Sequence, residues 1–486
     1  MNYIDLFAGA GGLSEGFYNA RFHPVAHVEM NREACNTLRT RLAWYYLHDH
    51  QTREPYNAYL RQRISRKQLY KLVPPHLLKS VINKPIGEDT REEIFKQIDE
   101  QLARLPADDR QVDLIVGGPP CQTFSVAGRA RLGAAVMEQD PRSQLYLQYA
   151  KFLEKYQPRM FIFENVLGLL SFRQGQQYDL IRAAFNAVGY EMDVREWNAR
   201  EFGVLQSRER LVIVGWRKDG PEKLGYPNFY TLNEQSRKQH TVAEVLANLP
   251  PLTIAEEGNK GRKGGPYPVF DYPVRLERGL ETDYVINSRL REACPVLTWH
   301  VARPQTATDR EIYRLYIEDW EAKKDLPNAV RLKYHELPDR LKSHKNKLDF
   351  SDRFKVVARE LPYSQTVVAH IHKDGHYYIH PDHAQARSLS VREAARLQSF
   401  PDNYYFEGSR TSAFRQIGNA VPPLMATSIA KSVKAALEGD GDFLAPDSPI
   451  GKRRTGRLEK DKAKKKATRK PKAPKPAPLF TELQEA

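Results

Sequence analysis

The first 29 residues constrain the fold more than any other stretch. Tyr3-Ile-Asp-Leu-Phe7 has strand character, Ala8-Gly-Ala-Gly-Gly12 is a glycine-rich turn, and Leu13 to Ala20 places Leu13, Gly16 and Phe17 at helical spacing. His23-Pro-Val-Ala-His-Val28 is a second strand, ending in Glu29. Strand, turn, helix and strand in this order open a doubly wound α/β sheet of Rossmann type, where ligands sit beyond the strand carboxyl ends. The glycines let a ligand approach the backbone closely. The turn lacks the Gly-Lys-Ser/Thr of a phosphate-gripping loop and the Gly-x-Gly-x-x-Gly spacing. An acid ending the second strand can bond both hydroxyls of a ribose. Turn and acid together favour an adenosine ligand without a pyrophosphate; a plain tight turn is the alternative.

Further strands are expected at Val112–Val116, Met160–Phe163 and Leu211–Gly215, with helices over Ser390–Ser399 and from Pro422-Pro423 to about Leu437. At 486 residues and 41% hydrophobic, the chain can build more than one core. A catalytic domain is expected over 1–216, with a charged, aromatic, helical insertion at about 36–84. A second domain poor in long helices follows at 217–387, the chain returns to the first domain at 388–440, and 441–486 forms a disordered basic tail. Eleven of the fifteen net positive charges fall between Gly451 and Lys475, where 13 Lys and Arg face only Glu459 and Asp461. Such a tail either solubilises the chain or holds nucleic acid by counterion release. Three scattered cysteines, Cys35, Cys121 and Cys294, argue against a disulfide framework. With no membrane-length apolar run and no signal peptide ahead of the first strand, a cytoplasmic protein with no membrane partner is expected.

Leu114-Ile-Val-Gly-Gly-Pro-Pro-Cys-Gln-Thr-Phe-Ser125 sets a thiol just beyond a strand end. A lone cysteine is most often a core residue, which suits Cys35 and Cys294. Cys121 fits that role poorly, because strand-end loops face the ligand crevice and Pro119 and Pro120 stiffen the approach. Positive groups such as Arg129, Arg131 and Arg142 could favour its thiolate and make it a nucleophile. Glu164, at another strand end beside Asn165, is either a fold-stabilising cap or a proton donor facing the thiol. Arg208 and Arg210 lie two apart as the chain enters a strand, so both are expected on one face, able to hold a phosphate and a carbonyl.

Taken together and in this order, these stretches resemble the DNA (cytosine-5) methyltransferases of prokaryotic modification or phage-defence systems. Asp5-Leu-Phe-Ala-Gly-Ala-Gly-Gly12, Gly118-Pro-Pro-Cys-Gln-Thr-Phe-Ser125, Glu164-Asn-Val166 and Gln206-Ser-Arg-Glu-Arg210 look like that family's first, nucleophile, acid and arginine motifs. Arg392-Glu-Ala-Ala-Arg396 with Phe400-Pro-Asp402 is similar to the ninth, and Gln416-Ile-Gly-Asn-Ala-Val421 to the tenth. The resemblance implies S-adenosylmethionine as cofactor and a cytosine flipped out of double-stranded DNA as substrate. It casts Cys121 as the nucleophile that adds to C6, and Glu164 as the partner of N3. Arg210 would hold the cytosine carbonyl and Arg208 a nearby phosphate. Phe7 would stack on adenine, Glu29 bind the ribose, and Ala8, Gly9, Gly11 and Gly12 admit the methionine part. Asn419, Ala420 and Val421 would complete the pocket. Met30 stands where an aromatic or apolar residue packs on adenine, and Leu205 where proline is common. Asp89 is assigned to the adenine amino group with Glu88 as a rival, because Ile86-Gly-Glu-Asp89 departs from the family's Gly-Asp pattern.

The middle region takes the place of the family's target-recognition domain. Trp299-His-Val-Ala-Arg303 and five histidines between His370 and His383 lie there. Acidic and sulfur partners at ligand spacing are missing, so no metal is expected, and these side chains are read as contacts to bases in the major groove. The expected assembly is a monomer on DNA, with cognate restriction or defence proteins as further partners. Two rivals stand against this reading. One is a transfer-RNA methyltransferase, disfavoured by the long middle region. The other is a silent DNA-binding regulator, disfavoured by the presence of both thiol and acid.

Overall fold

The computed structural model describes residues 1–120, 144–220, 223–252, 269–271, 283–290, 295–342 and 352–451. Cys121, Arg129, Arg131, Arg142, Cys294 and the tail from 452 lie outside these residues.

One mixed sheet of seven strands organises the catalytic part. In chain order they are β1 (Asn2–Leu6), β2 (His23–Glu29), β3 (Val81–Asn83), β4 (Leu114–Gly117), β5 (Met160–Asn165), β6 (Tyr190–Asn198) and β7 (Glu209–Arg217). Their spatial order is β3-β2-β1-β4-β5-β7-β6; the first five pair in parallel, and β7 runs antiparallel between β5 and β6. Because β7 reverses, its first residues lie beside the carboxyl end of β5. Alternate residues feed opposite faces: Tyr3 enters one buried cluster, Ile4 and Leu6 the other. Helices cover both faces, which fits strands made of unbroken apolar runs.

The helices up to the middle region are α1 (Gly12–Asn19), α2 (Arg32–Asp49), α3 (Glu54–Leu60), α4 (Arg66–Tyr70), α5 (Pro75–Lys79), α6 (Glu88–Leu102), α7 (Leu145–Tyr156) and α8 (Gln176–Ala187). The middle region holds α9 (Glu234–Lys238), α10 (Val242–Leu246), α11 (Asp283–Asn287), α12 (Ala307–Lys323) and a two-stranded pair, β8 (Phe270–Asp271) with β9 (Val296–Leu297). The chain then returns through α13 (Val391–Leu397), α14 (Arg410–Asn419) and α15 (Pro423–Glu438). Among the described residues no helix is long and apolar enough to cross a membrane.

Four expectations change. The stretch 36–84 is helical, but α2 is the ordinary crossover from β2, and the stretch ends in a core strand, β3. Strand β6 escaped sequence reading because Tyr-Glu-Met-Asp-Val-Arg-Glu-Trp-Asn carries polar residues on an edge strand, with β7 as its one neighbour among the described residues. The middle region contains a 17-residue helix, α12, started by a capping box of Thr306 and Asp309. Finally, 441–451 packs as a strap. Buried Arg195 on β6 donates to the carbonyls of Ala445, Ser448 and Ile450 at 2.8, 3.1 and 2.6 Å, and a Cβ at Gly451 would lie 2.5 Å from Trp197.

Candidate active site

At the end of β1 the backbone turns sharply, with Phe7, Gly9 and Gly11 at φ of +57°, +54° and +82°. Glycine suits the last two, while Phe7 adopts the left-handed region at a cost that surrounding packing must cover. Its ring packs partly buried against the core of the sheet. The Ala8 N–H donates to Val28 O at 3.1 Å, tying the turn to β2. The Gly9 N–H donates to Glu29 Oε2 at 2.8 Å and the Asn31 N–H to Glu29 Oε1 at 2.6 Å. Burial raises the Glu29 carboxyl above its usual range, while these N–H groups pull the other way. Met30 follows, 65% exposed. Glu88 and Asp89 are both exposed in the first turn of α6, just beyond β3, so neither is singled out.

The far end of the chain closes the turn. A Cβ at Gly12 would fall 2.3 Å from Val421 O and 3.0 Å from the Ala420 Cβ, so only glycine permits this approach. Gly16 does the same for α1 against α15, where a Cβ would lie 2.2 Å from the Ala426 carbonyl carbon. Asn419 ends α14 exposed, beside buried Ala420 and Val421. Phe7, Ala8, Gly9, Gly11, Gly12, Glu29 and Met30 thus share one sheet edge, with Ala420 and Val421 packed on its glycine turn.

Glu164 and Arg210 meet across β5 and β7. Glu164 pairs with Val212 in the ladder, so Arg210 is its diagonal neighbour on the same face. Arg210 Nε lies 2.8 Å from Glu164 Oε1, and both side chains are mostly buried. The Asn165 Nδ2 donates to Pro119 O at 3.3 Å, and a Cβ at Gly118 would lie 2.7 Å from Glu164 Oε2. The backbone leading to Cys121 therefore runs against Glu164 at Gly118 and against Asn165 at Pro119; Cys121 itself is outside the described residues.

Arg208 does not share the face of Arg210. It precedes β7, so the two-residue alternation of a strand does not govern it. It is fully buried, donating from Nη1 to Val367 O at 2.8 Å and from Nη2 to Gly418 O at 3.1 Å. It ties the middle region to α14 and is not placed to hold a phosphate. Gln206 has a similar place: its Oε1 accepts from the Val367 N–H at 2.8 Å and its Nε2 donates to Leu397 O at 3.1 Å. Leu205, beside it, is buried.

Base contact is also wrong for Trp299, His300 and Arg303, all of which are buried. The Trp299 indole donates to Phe406 O at 3.0 Å, His300 lies 3.1 Å from Ser390 Oγ and 2.7 Å from Pro250 O, and Arg303 donates to Ile371 O at 2.7 Å. They seat the middle region on α13 and α14. The histidine run divides: His376 bonds the Tyr313 hydroxyl, His380 is buried near Glu393, and His383 pairs with Glu318.

Sequence reasoning missed two supports of the glycine turn. The Tyr404 hydroxyl donates to Ala10 O, and the Arg392 Nη2 donates to Tyr404 O at 3.0 Å. Asp5 accepts from the Ser14 hydroxyl at 2.5 Å beneath the turn, and burial pushes its carboxyl up to about 7. Asp5 was visible as the polar residue inside an apolar strand; nothing local marked Tyr404.

The model of the family described as C-5 cytosine-specific DNA methylase matches residues 1–58 and 83–435. Type II methyltransferase M.Bpa9945I of Bacillus paralicheniformis is 39% identical over 465 residues, covering 90% of this chain and 100% of that protein. Type II methyltransferase M.AgeI of Thalassovita gelatinovora is 31% identical over 480 residues, covering 90% and 100%. Among solved structures, a candidate DNA modification methyltransferase encoded within an E. coli prophage superposes with a TM-score of 0.56 at 21% identity, covering 90% of this chain and 99% of that one, which supports the fold. With sheet, glycine turn and carboxylate–arginine pair in place and the family model matched over most of its length, the chain belongs to the C-5 cytosine-specific DNA methylases and is a DNA cytosine-5 methyltransferase.

Proposed function

We propose that the protein methylates C5 of a cytosine flipped out of a specific duplex DNA sequence, using S-adenosylmethionine and a covalent Cys121 adduct, in restriction–modification or phage defence. The observation that carries this reading is the Glu164–Arg210 pair, set against the backbone that leads to Cys121. The names of the two relatives favour the restriction–modification setting.

The glycine edge fits the cofactor. A Cβ at Gly9 would meet nothing within 4 Å, so the turn opens onto free space. Glu29 offers a carboxylate for ribose hydroxyls, and exposed Met30 an apolar surface for adenine. Phe7, Gly11, Gly12, Asn419, Ala420 and Val421 would frame the rest, with Asp89 or Glu88 at the adenine edge. When bound, S-adenosylmethionine supplies an electrophilic methyl group.

The residues then act on the cytosine. The Cys121 thiolate forms a bond to C6, and Glu164 hydrogen-bonds or protonates N3, so the ring's electrons become available at C5. Arg210 holds the carbonyl oxygen. After C5 gains its methyl group, C5 loses its proton to water and the C6–sulfur bond breaks, which releases the thiolate and restores the ring. Extrusion of the base costs roughly a few kcal/mol, offset by contacts from the region 217–387.

Methylation-sensitive sequencing of DNA from a host that expresses the protein tests the reading, because it reports base and site together. Cys121→Ser is expected to abolish methylation while duplex binding persists. Undiminished methylation by that variant refutes the nucleophile, and methyl incorporation into transfer RNA alone refutes the substrate.

A further inference from the structure

The family match breaks off after residue 58 and resumes at 83. The intervening stretch, Tyr59 to Ile82, contains Arg61, Arg63, Arg66, Lys67, Lys71 and Lys79 and no acidic residue. Its charge of +6 exceeds the +4 carried by everything outside Gly451–Lys475. It is also a built part of the molecule. Leu60, Leu69 and Val73 are buried together with Leu38 and Leu42 of α2 and with Val296 of the middle region. Glu407 accepts from the Tyr59 hydroxyl at 2.5 Å, from Thr40 Oγ1 at 2.6 Å and from Arg66 Nη1 at 3.0 Å. The Tyr56 hydroxyl donates to Asn403 O at 2.8 Å. The loop 403–407 that anchors the stretch is the one whose Tyr404 holds the glycine turn.

One side of this stretch is thus fastened between the wall of the cofactor edge and the middle region, and the other is open. On the open side Arg63, Lys67 and Lys71 are exposed and follow one another at four-residue intervals. Among the described residues none of the three has a carboxylate partner, unlike Arg61 and Arg66, which pair with Glu54 and Glu407. Lys67 lies on α4 and Lys71 is its C-cap, and like charges at this helical spacing repel. A polyanion laid along them would relieve that repulsion and release its own counterions.

We propose that Tyr59–Ile82 is a duplex-DNA docking surface, with Arg63, Lys67 and Lys71 contacting backbone phosphates that flank the target sequence. The contacts carry no base information and act on affinity and position. The proposal rests on the DNA-methylating reading above and adds a surface that the family match does not include.

The test is the full-length triple variant Arg63→Gln/Lys67→Gln/Lys71→Gln, compared with wild type in salt-dependent binding to a duplex that extends well past the mapped site. Removing one phosphate interaction reduces the slope of log affinity against log salt by about 0.9, so a shallower slope is expected, reduced by up to about three such steps. The KM for the long duplex should rise several-fold, while kcat and the KM for S-adenosylmethionine stay unchanged. A duplex trimmed to the site should not distinguish variant from wild type. An unchanged slope on the long duplex overturns the proposal and leaves an acidic protein as the occupant. A wild-type protein that methylates no duplex would instead sink the parent reading.

Discussion

Arg210 and Glu164 show how an ion pair can hold a site ready. Their 2.8 Å contact joins two strands that meet only because β7 reverses direction beside β5. With the guanidinium present, the carboxylate stays in place against Gly118. Glu164→Gln keeps the shape and the hydrogen-bonding reach but cannot deliver a proton, so methyl transfer should fall by about 10²–10⁴ with duplex affinity retained. Single-turnover methylation at saturating cofactor measures it; a variant as fast as wild type would remove Glu164 from the chemistry. Arg208 has a different place although it lies two positions from Arg210. Its bonds to Val367 O and Gly418 O make it a joint between regions.

At the scale of elements, close helix and turn packing depends on absent side chains. Gly12 and Gly16 let α1 and its turn lie directly on the segment that opens α15. In Gly12→Ala the new methyl must displace Val421 O, 2.3 Å away, and the Phe400 ring, 3.2 Å away. Overpacking of this kind costs roughly 1–3 kcal/mol, and the displaced atoms are those proposed to frame the cofactor. Thermal unfolding should drop, and calorimetric binding of S-adenosylmethionine should weaken more than binding of DNA. Helix α13 organises the opposite side. Arg392 donates to Thr298 O at 3.1 Å, and Arg396 donates to Val245 O at 3.1 Å and Ala247 O at 2.8 Å. Two arginines of one short helix thereby fix two segments of the middle region, the end of α10 and the residue after β9. Buried Asp402 accepts from Arg396 at 2.9 and 2.7 Å, leaving no naked charge.

For the whole molecule, the seam between catalytic part and middle region contains a buried titratable group. Arg387 donates to both Glu393 oxygens at 2.7 Å, so the carboxylate is already satisfied when His380 approaches to 3.5 Å. Burial, assisted by Arg387 and His300 and opposed by Glu393 and Asp382, lowers His380 to about 4. His27, within β2, is lowered to about 4 by burial alone. Between about pH 6.5 and 4 the unfolded chain binds protons at these histidines and the folded chain does not, so stability falls as pH falls through that window. Above the window the contribution is constant. Asp5, raised to about 7, works in the opposite sense, because its folded form holds a proton that the unfolded form releases. Urea midpoints from pH 4 to 7 should therefore show a shallower acid decline in His380→Gln than in wild type. Parallel profiles would show that this seam does not sense protons.

Local pattern alone determined the opening βαβ unit, the glycine turn with Glu29, the strand ends bearing Glu164 and Arg210, and the helices α13 and α15. Apolar runs, glycines and prolines act on their near neighbours, so their consequences can be read without knowing the rest of the chain. Tertiary structure decided what depends on distant partners. Edge strand β6 is polar and gains its order from β7. Arg208, Trp299 and His300 have side chains suited to nucleic acid, yet burial against carbonyls and α13 turns them into joints. Residues 441–451 look like the start of a loose tail until Arg195 supplies the donors that their carbonyls need. In each case an acceptor or neighbour distant in sequence, from 50 residues for His300 and Pro250 to 255 for Arg195 and Ile450, or on a strand whose direction the sequence does not announce, determines what the side chain does.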